Sequence, residues 1–385
     1  MNKKIIAIGQ CTDQIRNIFS GQAMMFESLT DYLKENRYSV DVVNLTSKYT
    51  NIQVGEIVIK RIIEYISIII KSIPVFYKNK GGVLYITTAQ TKGGFLRDFI
   101  FIHLALIFSC KILIQQFGSN FEVFYNGLSP IFKYLVRKTF NKGNYIIVEG
   151  VVTKKQFSFI DNYENKVFAL TNGLPEKAIK MDSDVKIYLN NESFKMIYLS
   201  YMIESKGYWD VLEAVNILIN EFGRNVECVF AGMFKSSVDD EIYNSEVDAS
   251  NQFHNFIHKN KLDKIVTYYE GLMGDKKSEA FLNSHVFLLP SYFKFEGQPV
   301  SVLEAMAYGC VPIVTQYRMI PDMVTPETGI YVEKKSPRQI ADKIMYLMDN
   351  PEIYKGYSKA SIDRFTENFT FDKYCFNFCK ILNKL

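Results

Sequence analysis

Two periods alternate along this chain. Short apolar runs rich in Ile, Val and Leu are followed by longer stretches whose apolar positions recur every three or four residues. The first kind reads as strands buried on both faces, the second as amphipathic helices. Strands are expected at Lys4–Ile8, Val40–Asn44, Val83–Thr87, Ile112–Gln116, Tyr145–Val148 and Val167–Leu170, with an early helix at Ala23–Glu35 that carries Met25, Leu29 and Leu33 on one side. Thr171-Asn172-Gly173 breaks the alternation, and the polar stretch Pro175–Glu192 reads as an interdomain linker.

The same alternation then restarts. Strands are expected at Lys195–Ser200, Val226–Ala231, Ile265–Tyr269, Val286–Leu289, Val311–Val314 and Gly329–Val332. Helices are expected at Tyr208–Glu221, Glu246–Asn260, Ser278–Ser284, Ser336–Met348, Pro351–Phe365 and Phe371–Leu385. Strand–helix alternation of this kind specifies parallel sheets with helices on both faces, here one architecture used twice.

Two apolar segments qualify this picture. Arg61–Tyr77 (RIIEYISIIIKSIPVFY) mixes apolar runs with basic residues, and Phe99–Ile114 (FIFIHLALIFSCKILI) is interrupted by His103 and Lys111. Neither reaches about 18 uninterrupted apolar residues, so no membrane span is expected. Both read as core helix and strand; the alternative is a basic, apolar face resting on anionic lipid. MNKKIIAIG lacks the apolar region and cleavage site of a signal peptide.

Length and composition add bounds. The 385 residues suit two domains, and a chain that is 48% hydrophobic and 22% charged can bury large cores. A net charge of +4 does not suggest a nucleic-acid binder. The six cysteines, at 11, 110, 228, 310, 375 and 379, are scattered and read as reduced thiols. His254 and His258 stand one helical turn apart, but Asn255 replaces the glutamate of a zinc-protease motif, so they read as a surface helix.

Ligands of open α/β sheets bind beyond the carboxyl ends of strands, and three segments hold such positions. After the first strand, Gly9–Gln22 leads to Gly21 at a loop–helix junction, where the backbone can come close to a ligand. After the first strand of the second half, SYMIESKG puts Lys206 before a glycine and a helix; a lysine there opposes the helix dipole unless an anion lies between them. After the Val286–Leu289 strand comes PSYFKFEGQPVSVLEAMAYGCVPIVT, in which seven residues separate Glu296 from Glu304. Pro299 suits the first turn of the intervening helix and Gly309 its end. Two carboxylates beside a helix N-terminus suit an anion that also carries hydroxyls, as a nucleotide sugar does.

In these residues the chain resembles family 4 of the retaining glycosyltransferases, which have the GT-B fold, an α/β arrangement of two Rossmann-like domains facing across a cleft. EGQPVSVLEAMAYGCVPIVT is similar to that family's Glu-x7-Glu signature and SYMIESKG to its diphosphate-binding loop. TNGLP, EGLMGDKKSEAFLNSHVFLLPS and SGQAMMFESLTDYLKENRYSVDVV resemble, in turn, the end of its first domain, the segment before the signature, and its first loop and helix.

The resemblance implies an acceptor-binding domain over 1–175, a nucleotide-sugar-binding domain over 190–360, and a C-terminal helix within 361–385 returning to the first domain. Glu296 would hold donor-sugar hydroxyls and Glu304 the ribose hydroxyls. Lys206 would neutralise the diphosphate, helped by the amides near Gly297, Val300 and Ser301. Gly21 would admit the first-domain loop, and Gly271–Gly274, with Leu272, would frame the base. The implied activity is retaining, metal-independent transfer of a sugar from a UDP- or GDP-sugar to a carbohydrate hydroxyl, with no cofactor and no metal site. The implied acceptor is a polysaccharide or lipid-linked saccharide, and the implied location is the cytoplasm, with peripheral contact to the inner face of an anionic membrane. Two positions depart from the family. Tyr201 stands where an Arg or Asn is usual, and Phe117 replaces a His, leaving Gln115, Gln116 and Asn120 as candidates for that polar contact. These departures motivate a second reading, a catalytically weak partner protein that binds nucleotide sugar or glycan.

Overall fold

The structure, a computed structural model, describes residues 3–12, 21–47, 54–174, 185–189, 192–237, 240–242, 245–294 and 296–385, with no side-chain description for 54–58. Part of the Gly9–Gln22 loop and most of the Pro175–Glu192 linker, including Pro175 of TNGLP, lie outside the described residues.

The chain divides into two compact units, Met1–Gly173 with Asp372–Leu385, and Leu174–Phe371. In the first, strands β1 (Lys4–Gly9), β2 (Ser39–Asn44), β3 (Val83–Thr87), β4 (Lys111–Gln116), β5 (Tyr145–Val148) and β6 (Val167–Ala169) form one parallel sheet in the order β2-β1-β3-β4-β5-β6. Its helices are α1 (Gly21–Glu35), α2 (Val54–Lys78), α3 (Lys92–Ile107), α4 (Phe121–Asn126), α5 (Pro130–Phe140) and α6 (Tyr163–Lys166).

The second unit repeats the plan. Strands β7 (Phe194–Leu199), β8 (Val226–Ala231), β9 (Val266–Tyr269), β10 (Val286–Leu289), β11 (Val311–Val314) and β12 (Ile330–Tyr331) are parallel in the order β12-β11-β10-β7-β8-β9. Its helices are α7 (Tyr208–Asn216), α8 (Glu246–Lys259), α9 (Gly274–Leu282), α10 (Val300–Ala307), α11 (Ile320–Met323), α12 (Pro337–Asp349) and α13 (Pro351–Asn368). A last helix, α14 (Phe371–Leu382), returns to the first unit. There Tyr374 bonds Gln115, Phe378 packs edge-on against Tyr85, and Lys3 Nζ donates to the Leu382 carbonyl. Residues 361–368 stay with α13 in the second unit.

Several local expectations are corrected. The stretch Arg61–Tyr77 is helix throughout, carries Pro74 inside it, and turns only one face to the core. Helix α7 gives way to a π-turn at Ile217–Glu221, where Phe222 N donates to Ile217 O. Helix α9 begins four residues earlier than Ser278, because Gly274 (φ 55°) turns the chain after an extended Met273. Pro299 caps α10 rather than opening its first turn. At the other end Gly309, at φ 70°, closes a Schellman motif: Cys310 N bonds Ala305 O and Gly309 N bonds Met306 O. Two described residues of the linker segment are held in the second unit. Lys186 N donates to Ser358 Oγ at 3.0 Å, its Nζ reaches the Phe281 carbonyl, and Tyr188 is buried in the second core.

Candidate active site

Sheet order decides what meets in the second unit. Strands β7 and β10 are neighbours, but β7 connects onward to β8 on one side and β10 to β11 on the other. Their carboxyl-end loops therefore diverge, the arrangement that opens a ligand crevice in an open α/β sheet. The β7 loop carries Lys206 in a single 3-10 turn, Glu204–Lys206. Gly207 then takes φ 81° against Pro290 of the β10 loop; a Cβ there would lie 2.7 Å from the Pro290 carbonyl oxygen. Tyr292 N donates to Ser205 O at 2.7 Å and fastens the two loops together.

Across that junction, Lys206 Nζ lies 3.1 and 3.2 Å from the two carboxylate oxygens of Glu296. The side chains are only 12% and 5% exposed, so water screens the pair weakly. Ser291 Oγ donates to Glu296 Oε2 at 2.6 Å, and the Thr315 hydroxyl holds the Ser291 carbonyl. The ammonium also stands 5.1 Å from the ring centre of Phe293. Glu296 N closes a turn onto Phe293 O at 2.9 Å, and half-buried Gly297 follows. Pro299 then caps α10, which opens on half-buried Val300 and Ser301. First-turn amides have no acceptor within their own helix, so they are available to an anion.

Glu304 lies deep on α10, and Lys277 of α9 donates to it at 2.5 Å. Burial holds the Glu304 carboxyl above the usual carboxylate range, and Lys277 pulls the other way. Leu272 is half-exposed in the loop between β9 and α9. Gly21 is the exposed first residue of α1, in the first unit. Of the sequence-derived residues, the structure thus joins Lys206 to Glu296 directly and sets Glu304 on the helix that follows. Ser291 and Lys277 were not singled out from sequence, because nothing in a serine before a loop or a lysine on a polar helix marks its partner.

The first unit has a polar cavity of about 290 Å³ at the carboxyl ends of its strands, lined among others by Gln10, Gln22, Thr88, Gln90, Arg97 and Gln116. Gln116 accepts from the Thr88 hydroxyl at 2.8 Å, whereas Gln115 is turned away and consumed by Tyr85 and Tyr374. Asn120 precedes α4 with its Oδ1 buried and unpartnered. Sequence reading missed Glu149. This buried carboxylate accepts from Gly118 N at 2.6 Å and Asn172 Nδ2 at 2.7 Å, tying the Phe117-Gly118 loop to Asn172-Gly173. Burial raises its pKa. Phe117 is buried, and Tyr201 is half exposed.

Two parallel six-stranded sheets with flanking helices are the architecture of GT-B glycosyltransferases. The structure of Anabaena Alr3699/HepE in complex with UDP superposes with a TM-score of 0.71 over 99% of this chain and 100% of that one, at 12% identity. Residues 180–364, which include both loops of the junction, match the family described as Glycosyl transferases group 1. The chain carries that family's domain and is a glycosyltransferase. An uncharacterized glycosyltransferase of Methanocaldococcus jannaschii is 24% identical over 74% of this chain and 71% of its own length. The capsular polysaccharide biosynthesis glycosyltransferase CapH of Staphylococcus aureus is 25% identical over 46% of this chain and 47% of its own.

Proposed function

We propose that the chain transfers a hexose from a UDP- or GDP-sugar to a saccharide hydroxyl, with retention and without a metal, in the synthesis of a surface polysaccharide or lipid-linked glycan. The buried Lys206–Glu296 pair beside the α10 N-terminus carries this reading. In the reaction the bond from sugar C1 to the β-phosphate oxygen breaks, and its electron pair leaves with the diphosphate. Lys206 and the amides of Val300 and Ser301 oppose that growing charge, the kind of preorganised stabilisation that commonly dominates catalysis. A lysine and helix amides in this role support metal-independent departure. Glu296 exchanges part of its contact with Lys206 for sugar hydroxyls. Its engagement by both Lys206 and Ser291 favours front-face attack over a covalent glycosyl-enzyme. The acceptor oxygen then bonds C1 on the departing face and gives its proton to the leaving phosphate. Glu304 binds the ribose hydroxyls, and Leu272 borders the base.

Retention is carried by the family resemblance, and the polysaccharide setting by the relationship to CapH. On this reading the protein works in the cytoplasm, at the inner face of the membrane that holds its acceptor. Tyr201 and Phe117 favour the second reading, a weakly catalytic binding partner. A panel of UDP- and GDP-sugars, assayed for released nucleoside diphosphate with and without saccharide acceptors, separates the two. Acceptor-stimulated release, with product anomer matching donor by NMR, is expected. Donor binding without release across the panel supports the binding partner instead.

A further inference from the structure

Helix α2 is amphipathic in an unusual sense: two faces are apolar and its charged residues fall along one side between them. Ser72 and Phe76 face the first unit's core, where Phe76 stacks on Phe108. On the other side Ile59, Ile63, Ile66, Ile70, Ile73 and Tyr77 are between 42% and 75% exposed. Their spacing of four, three, four, three and four residues keeps them in one line along the helix. At 1.5 Å per residue the line runs about 27 Å. Exposed apolar surface of this extent marks an interaction site.

Charge says which partner. Helix α2 contacts α3, and α3 contacts α5, so the three form one layer over the sheet. Together they carry nine basic residues and three acidic ones, a net +6, within a chain whose total is only +4. Lys60 and Lys71 run along one side of the isoleucine line, and Lys133 and Lys138 lie on α5. Lys78 and Arg137 are paired with Asp41 and Asp161, but a second copy docked face to face would still oppose two net-positive layers, which disfavours self-association through this layer. A single apolar row bordered by basic residues is instead the pattern of a helix lying in a membrane interface. No described helix is long and apolar enough to cross a bilayer.

We infer that the outer face of α2 is a docking surface for an anionic phospholipid bilayer, with the Ile59–Tyr77 line inserted among the acyl chains and the lysines against headgroup phosphates. This deepens the functional reading by naming the surface that brings the protein to a lipid-linked acceptor. Its test needs neither donor nor acceptor, so either idea can fail alone.

The experiment is co-sedimentation of the full chain with vesicles of phosphatidylcholine, alone or mixed with phosphatidylglycerol, at low and high sodium chloride. The wild type is expected to pellet with the anionic vesicles, at least about tenfold less with neutral ones, and less as salt rises. The Ile63→Glu/Ile70→Glu variant changes only exposed positions, so its melting temperature and UDP binding should match wild type while its vesicle binding falls about tenfold or more. Absence of binding to anionic vesicles at low salt would overturn the inference, as would equal binding by the variant. If analytical ultracentrifugation instead finds a wild-type dimer that the variant abolishes, the surface belongs to a second copy and the lipid assignment falls.

Discussion

Replacing Lys206 with methionine removes the cation from a carboxylate that water barely reaches. The two Nζ–O separations are 3.1 and 3.2 Å. At an effective dielectric of about 20, charges that close attract by about 5 kcal/mol before desolvation is counted. Removing one partner of a buried pair usually costs about 3–5 kcal/mol, because the other charge stays uncompensated. Ser291 keeps its hydrogen bond to Glu296 in the variant, which places Lys206→Met near the low end, about 3 kcal/mol. Glu296→Gln should cost about 2 kcal/mol, since Lys206 is the more exposed partner. The double variant buries neither charge, so its cost should fall short of the sum of the singles by about 2 kcal/mol or more. Urea unfolding of all four proteins, at neutral pH and without nucleotide, measures this coupling. Additivity within about 0.5 kcal/mol would refute the claim that these side chains form a tight buried pair.

Three further outcomes follow from the geometry. Gly207→Ala should destabilise by more than about 1 kcal/mol and weaken nucleotide binding, because it combines φ 81° with a 2.7 Å approach to Pro290; an unchanged urea midpoint would contradict it. His285 accepts Lys195 N on Nδ1 and is held neutral, its pKa lowered from 6.5 to about 4 by burial and by Lys186 and Lys195. The unfolded chain takes up that proton first, so this contribution is present above pH 6.5 and is lost as pH falls toward 4, by roughly 3 kcal/mol; His285→Asn should flatten that part of the stability profile, and an identical profile would refute it. Asp210 is pushed the other way, up to about 6 by burial and by Glu213, so the native state holds its proton longer and stability falls as pH rises from 3.8 through 6. Asp210→Asn should therefore gain up to roughly 3 kcal/mol over wild type in urea unfolding above pH 6, with no gain at low pH; a variant no more stable at high pH would show that the carboxylate is not strained.

The fold was legible where the physics is local. Parallel strands covered on both faces are continuous apolar runs, which is why β3, β5, β10 and β11 begin and end where the pattern says. The Lys206–Glu296 contact was not legible as a contact. Ninety residues separate the two, and only the adjacency of β7 and β10 brings them together. Lys277 and Ser291 were hidden for the same reason, since their meaning lies in the carboxylates they meet. The isoleucines of α2 misled in the opposite direction. A run that apolar reads as core, and periodicity cannot tell a face that packs from one that is left exposed.

On this reading the β7–β10 junction binds the diphosphate of a nucleotide sugar through Lys206. Isothermal titration of UDP, GDP and the matching nucleosides into wild type and Lys206→Met, at a temperature where both are folded, tests it most directly. One of the two diphosphates is expected to bind wild type with one-to-one stoichiometry. Lys206→Met should weaken that diphosphate by at least about tenfold, or 1.4 kcal/mol, and leave the nucleoside unchanged. Equal diphosphate affinity in the two proteins would contradict it.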